Sequence, residues 1–320
     1  MARSERTLGD VGEAGLIERI ARRAGRAPGR DWALGIGDDA AVLRTRAQEE
    51  LVFSTDAQIE DVHFRLDRET PRTIGRRALA VNLSDLAAMG SQPVGSLLSL
   101  SAPPSLPIGV FDALIAGFVA ESERHACPLV GGNLSRAGKL GLDVTVIGRC
   151  RRGRALRRRG VRPGDALFVT GTLGAAALAR ARADETGGRL SRVPVPRLEA
   201  GRALARLDGT RACIDLSDGL VTDLGHLLSA AGVGAVIDAA RLPRPRGFEA
   251  GCRRLGLDPL ATLGGGGEDY ELLFAFRCER NAGWGKRLSR KLGLAVSEIG
   301  HVVETPGLQG LPAPAVAHHF

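Results

Sequence analysis

The chain has 320 residues, 44% apolar and 25% charged, the balance of a globular protein large enough for two domains and not that of a disordered, fibrous or membrane-spanning chain. Its formal charge of +8 would suit a polyanionic partner. Only three of the 44 cations are lysines (Lys139, Lys286, Lys291), however, and no motif gathers the arginines on one face, so neither nucleic acid nor membrane is expected as a partner. Cys127, Cys150, Cys213, Cys252 and Cys278 form no CxxC pair, which argues against a zinc centre or disulfide framework and for reduced, mostly buried thiols. The opening MARSERTLGD lacks an apolar leader core, and no run approaches the ~18 apolar residues of a membrane span. The cytoplasm is the expected location.

Leu51 to Thr55 form a strand-like run that ends in Asp56. A helix is predicted from Thr70, with Thr70 as N-cap, Pro71 at the first helical position, Leu79, Leu83 and Leu86 on one face, and Gly90 at its end. Phe111, Leu114, Ile115, Phe118 and Val119 are spaced as one apolar helical stripe. Strands follow at Leu142 to Ile147 and Leu167 to Thr170. Between them the run Arg149 to Arg162 is open to two readings, a solvated loop or a polyphosphate clamp, the second preferred for part of it. An Ala-rich helix follows Gly171, then a turn at Pro194 and Pro196, and a helix through Leu198 and Leu204. Cys213 to Leu216 reads as a buried strand feeding a helix with Leu220, Leu224, Leu227 and Leu228 on one side. Val233 to Ile237 and Tyr270 to Phe276 complete the predicted strands. Interspersed strands and helices give an α/β (α+β) class, with a boundary near residue 151 separating domains 1–150 and 151–320.

Five short segments place Asp or Glu beside Gly, Ser or Thr: GIGDD (Gly35 to Asp39), STD (Ser54 to Asp56), NLSD (Asn82 to Asp85), DLSDG (Asp215 to Gly219) and GGGGEDY (Gly264 to Tyr270). A sixth, GGNLS (Gly131 to Ser135), has an amide where the others have a carboxylate. Each alone fits an ordinary turn or helix cap equally well. As a set they suit a hard, oxygen-liking cation such as Mg²⁺, and their glycines allow backbone N–H groups to approach phosphate.

In order and spacing these segments, together with His63, RRALAVNLSDLAAMG (Arg76 to Gly90), GRALRRRGVRPGD (Gly153 to Asp165), VTGTLG and GGEDYEL, resemble the thiamine-monophosphate kinase family of the aminoimidazole-ribonucleotide-synthetase-like superfamily. The resemblance runs from about Leu16 to the terminal His-His-Phe. It implies two α/β domains. The N-terminal domain would bind metal and ATP and pair its sheet across a homodimer, and the C-terminal domain would cover the ATP crevice. It implies ATP-dependent conversion of thiamine monophosphate to thiamine diphosphate, with several Mg²⁺ ions. Carried over by position, Asp39, Ser54, Thr55, Asp56, Asp85, Asn133, Asp215 and Asp218 become metal ligands, Asp85 bridging several ions. Gly131, Gly132, Arg158 and Ser217 become ATP contacts, and His63, Glu268 and Phe320 thiamine-phosphate contacts. No protein base is expected, because the acceptor phosphate is already mostly a dianion at neutral pH, its second pKa being about 6.

Two departures stand out. Asn133 occupies a position where the family pattern has Asp, which removes one ligand charge and implies weaker binding of one ion or a shifted metal requirement. The end of the chain, Ala315 to Phe320, lacks the aromatic the family often carries three residues before the final Phe. Two rival readings remain: another ATP-dependent synthetase or dikinase of the superfamily, and a catalytically silent nucleotide-binding homologue.

Overall fold

The computed structural model describes residues 6–25, 29–36, 40–278 and 283–312. It divides into two compact units. The first comprises Met1–Leu86, Gln92–Arg152 and Arg189–Val193, the second Ala87–Ser91, Gly153–Gly188 and Pro194–Phe320. Helices and sheets are mixed in both, as the sequence pattern required.

In chain order the first unit contains α1 (Leu8–Ala24), β1 (Trp32–Leu34), β2 (Val42–Leu43), β3 (Glu49–Ile59), α2 (Pro71–Ala88), β4 (Gln92–Ala102), α3 (Ile108–Arg124), β5 (Leu129–Arg136) and β6 (Gly141–Arg151). Its main sheet has the order β3-β6-β4-β5. Strands β4 and β5 are parallel, which requires a crossover, and α3 supplies it. Alternation decides the faces. Leu98 and Leu100 on β4 and Val144 and Val146 on β6 are buried, whereas Ser99, Asp143 and Thr145 between them are more accessible.

Helix α2 begins as expected, the Thr70 hydroxyl accepting the Thr73 N–H at 3.1 Å. A Cβ on Gly75 would stand 2.0 Å from the Leu114 carbonyl oxygen, and one on Gly117 2.1 Å from that of Arg72. Glycine in each helix thus lets α2 and α3 cross with their backbones nearly touching. On the opposite side of the sheet, Trp32 donates its indole N–H to the Val94 carbonyl at 2.8 Å and packs with Val94, Val130 and Ile147. Farther along that face Phe53 on the edge strand β3 stays 62% exposed.

The second unit contains β7 (Ala166–Thr170), α4 (Ala175–Thr186), α5 (Leu198–Leu204), β8 (Thr210–Asp215), α6 (Leu220–Ser229), β9 (Gly234–Ile237), a short 3-10 turn, α7 (Phe248–Arg254), α8 (Pro259–Gly265), β10 (Leu272–Phe276), α9 (Trp284–Leu292), β11 (Val296–Val303) and β12 (Gly307–Gln309). Its sheet order is β12-β9-β11-β7-β10-β8. Every residue of β7 and β10 is buried, so these central strands read as unbroken apolar runs instead of alternating ones. One face packs the apolar side of α6 with Phe248 and Leu263. Toward the other, Phe168 stacks on Phe274 with ring centroids 5.5 Å apart, and Phe276 lies 5.4 Å from Trp284.

Three local expectations change. Strand β3 does not stop at Asp56, because its pairing with β6 continues to Ile59 opposite Gly141. Arg149–Arg151 belong to β6, so only the remainder of the arginine run is a connection. Tyr270 precedes β10 and has a left-handed backbone, φ 53°. The cysteines are free, and all but Cys278 are buried.

Candidate active-site segments

In the first unit α2 presents Asn82 and Asp85, one turn apart and hence on one side of the helix, to the middle of β3. Ser54 Oγ donates to Asp85 Oδ2 at 2.5 Å. Asn82 is fully buried. Its Oδ1 accepts the Asp56 N–H at 2.9 Å, and its Nδ2 donates to the Ala78 carbonyl at 2.8 Å. Asn82 was not singled out as a site residue; its signal was a second polar residue one turn before Asp85.

Register keeps Asp56, opposite Val144, on the side of Ser54 and puts Thr55 and Asn133 on the opposite face of the sheet. Thr55 pairs with Thr145, Thr145 with Leu97, and Leu97 with Gly131. One step along, Asp143 pairs with Ser99 and Ser99 with Asn133. The Thr145 hydroxyl donates to that of Thr55 at 3.2 Å. Ser54 and Asp85 therefore face the helices, while Thr55 and Asn133 face the open side. There a cavity of about 960 Å³ is lined by Trp32, Ile36, Gly131, Gly132, Asn133 and Asp143, among others. Asp143 is an acid the motif reading passed over, since it sits in an apolar strand with no small residue beside it. Gly132 has a packing reason of its own: a Cβ there would lie 1.9 Å from the Leu98 carbonyl oxygen.

His63 lies in the turn between β3 and α2. Its Nδ1 accepts the Ile59 N–H at 3.1 Å, and its carbonyl accepts Arg77 at 2.8 Å. Arg77 also pairs with the buried Glu69 at 2.6 Å, so the turn is tied to α2. Asp39 and Phe320 fall outside the described residues.

The second unit gathers Asp215, Ser217, Asp218 and Glu268. Asp215 ends β8 and is buried. The turn after it is bonded to the glycine-rich segment, with Glu268 N–H donating to the Ser217 carbonyl at 2.7 Å and Tyr270 N–H to that of Leu216 at 2.8 Å. Asp223, on the first turn of α6, accepts the N–H groups of Asp218 and Gly219 at 3.1 Å each. Burial, then the charges of Asp218 and Asp215, push the Asp223 carboxyl up to about 7 despite those two N–H donors. Ligand atoms of Asp218, Asp223 and His226 lie within 4.8 Å of one another. Asp223 and His226 were missed because they sit in an ordinary amphipathic helix pattern. Arg158 is exposed, in a connection held along β8 by the Cys213 N–H bonded to the Arg157 carbonyl at 2.9 Å.

Residues 37–150 match the family described as AIR synthase related protein, N-terminal domain, and residues 162–311 its C-terminal domain. A thiamine-monophosphate kinase of Mycobacterium tuberculosis is 36% identical over 291 residues, 89% of this chain and 86% of that protein. The chain belongs to the thiamine-monophosphate kinase family. Among solved structures of the family, the crystal structure from Stenotrophomonas maltophilia has a TM-score of 0.80 at 36% identity, covering 92% of this chain and 95% of that one. A structure described as AaThiL complexed with AMPPCP and TMP has a TM-score of 0.74 at 28% identity, covering 95% and 96%. Among the described residues no helix is long and apolar enough to cross a membrane.

Proposed function

We propose that this protein transfers the γ-phosphoryl group of ATP to the phosphate of thiamine monophosphate, giving thiamine diphosphate and ADP. The observation that carries this reading is the 36% identity to a thiamine-monophosphate kinase over 89% of this chain, and the Ser54–Asp85 contact at 2.5 Å sets a hydroxyl beside one of the proposed ligand acids. That full-length identity also favours this acceptor over those of other synthetases in the superfamily.

The donors suit Mg²⁺. Ser54, Asp56, Asp85, Asp215 and Asp218 offer carboxylate and hydroxyl oxygens, and burial, with the charges of Asp218 and Asp215 beside it, raises the neighbouring Asp223 carboxyl. Asp39 is assigned to the same set, and Thr55 and Asn133, on the opposite face of the sheet from Ser54 and Asp85, to a separate ion. Bound there, Mg²⁺ would supply charge neutralisation between two polyanions and bridging of phosphate oxygens. The chain's own contribution is placement. Gly131, Gly132, Arg158 and Ser217 are assigned to ATP, with the open-face cavity beside Gly131 and Gly132 as supporting space. His63, Glu268 and Phe320 are assigned to thiamine monophosphate. An oxygen of the acceptor phosphate forms the new bond to the γ-phosphorus as the bond to the β,γ-bridging oxygen breaks and ADP leaves. No side chain removes a proton, because the attacking oxygen carries none at neutral pH.

We further assign residues 1–150 to metal, ATP and dimer contacts and 151–320 to the second domain. The position of β3 at the edge of its sheet among the described residues, and exposed Phe53, support a homodimer through this sheet. Incubation with ATP, Mg²⁺ and thiamine monophosphate is expected to yield thiamine diphosphate, and Asp85→Asn to abolish it while the circular dichroism spectrum is retained. A folded Asp85→Asn variant of near-normal activity would refute the ligand assignment. ATP binding without product would instead favour the silent homologue.

A further inference from the structure

The glycine-rich turn before β10 carries backbone strain. Glu268 and Tyr270 have φ of 57° and 53°, a left-handed conformation that is uncommon for residues with a Cβ. Such residues persist where surrounding structure over-determines them. Between the two lies Asp269, 8% exposed, which reaches across the second unit to the start of α4. Its Oδ2 accepts the Gly174 N–H at 2.6 Å and its Oδ1 the Ala176 N–H at 3.2 Å. From the same helix Arg180 returns to pair with the Glu268 carboxylate. The chain is fixed again one residue later. Glu271 is held by Arg197 at 2.5 and 2.7 Å and by the Thr170 hydroxyl at 2.7 Å.

An ordinary helix cap comes from the residue at the helix start and asks nothing of its neighbours. Here Gly174 occupies that position without a side chain to offer. The cap is delivered from 95 residues away, and the residue delivering it is bracketed by two left-handed neighbours. We propose that Asp269 is a positioning residue for the phosphoryl acceptor: by gripping the first turn of α4 it fixes the strained turn that aims Glu268. The inference rests on the reading of Glu268 as a thiamine-phosphate contact. The same turn is hydrogen-bonded to the backbone of Leu216 and Ser217.

Steady-state kinetics of the full chain at saturating ATP and Mg²⁺ tests this. Asp269→Asn keeps the shape but turns an NH₂ group toward one of the two N–H donors. It is expected to raise KM for thiamine monophosphate about tenfold with little change in kcat, the signature of lost acceptor binding. Glu268→Ala should raise the same KM, and Glu268→Ala with Asp269→Asn should be no worse than Glu268→Ala alone. Penalties that multiply in the double variant, or an unchanged KM in Asp269→Asn beside a raised one in Glu268→Ala, would overturn the positioning role. An unchanged KM in Glu268→Ala would remove Glu268 from the acceptor site, and the proposal with it. Asp269→Ser, which keeps one oxygen acceptor, gives the same comparison should Asp269→Asn fail to accumulate as folded protein.

Discussion

Gly75→Ala sets two rules against each other. In a helix interior the exchange removes glycine's excess backbone freedom and is worth ~1 kcal/mol of stabilisation. At this position the new methyl would stand 2.0 Å from the Leu114 oxygen and 2.8 Å from its carbon, against a comfortable separation of ~3.5 Å. The obstacle is main chain of α3, so relief requires α2 and α3 to part by more than ~1 Å, and overpacking of that kind costs ~1–3 kcal/mol. Separation also forfeits dispersion contacts along the rest of the crossing. The net expectation is a loss of ~1–2 kcal/mol, or several degrees in Tm at ~2–4 °C per kcal/mol. Gly225→Ala in α6 is the control: nothing lies within 4 Å of its added carbon, so it should gain up to ~1 kcal/mol from propensity alone. Urea unfolding followed by far-ultraviolet circular dichroism, analysed transition by transition because two units need not unfold together, compares them. Because α2 carries Asn82 and Asp85, Gly75→Ala should lower turnover as well. A Gly75→Ala protein stabilised as much as Gly225→Ala would refute the close crossing.

Two more outcomes concern charge. Asn133→Asp should lower the Mg²⁺ concentration for half-maximal activity, and Asp143→Asn should raise it, by up to about tenfold each, or ~1.4 kcal/mol; titrations that coincide with the parent's would remove both residues from the proposed ligand set. At Glu121, burial raises the carboxyl pKa, but hydrogen bonds from His125 and Arg76 outweigh it and hold the group below its ordinary 4.5. A depressed folded pKa stabilises above the unfolded value and is lost as pH falls through the folded one. The stability advantage of the parent over Glu121→Gln should therefore be full above about pH 4.5 and shrink on further acidification; a gap that widens in acid would contradict the assignment.

The sequence was most legible where periodicity and composition agreed. Helix α2 starts at Pro71 behind its Thr70 cap, and the apolar stripe from Phe111 to Val119 lies within α3. Strands β7 and β10, and β8 from Ala212 onward, were visible because they are buried on both faces. Strand β4 was not, since its Pro93, Gly95 and serines mimic a loop while its long pairing with β6 supplies the stability. The seven-residue helices α7 and α8 are too short to express a period. Asp and Ser beside glycine drew attention to segments that the fold bonds together within each unit, yet sequence order could not tell that Ser54 and Thr55 look to opposite sides of one sheet. Nor could it show that the lack of a side chain at Gly132 is already required by the neighbouring strand.

The chain has two tryptophans, and they fall in different units. Trp32 is enclosed at 6% exposure, whereas Trp284 is partly open to solvent, with the Arg287 guanidinium carbon 5.2 Å from its ring centroid. An enclosed indole emits toward the blue and a wetted, cation-capped one toward the red. Intrinsic fluorescence is thus a two-colour gauge already installed, in which loss of the blue component reports the first unit opening and a change confined to the red component reports the second.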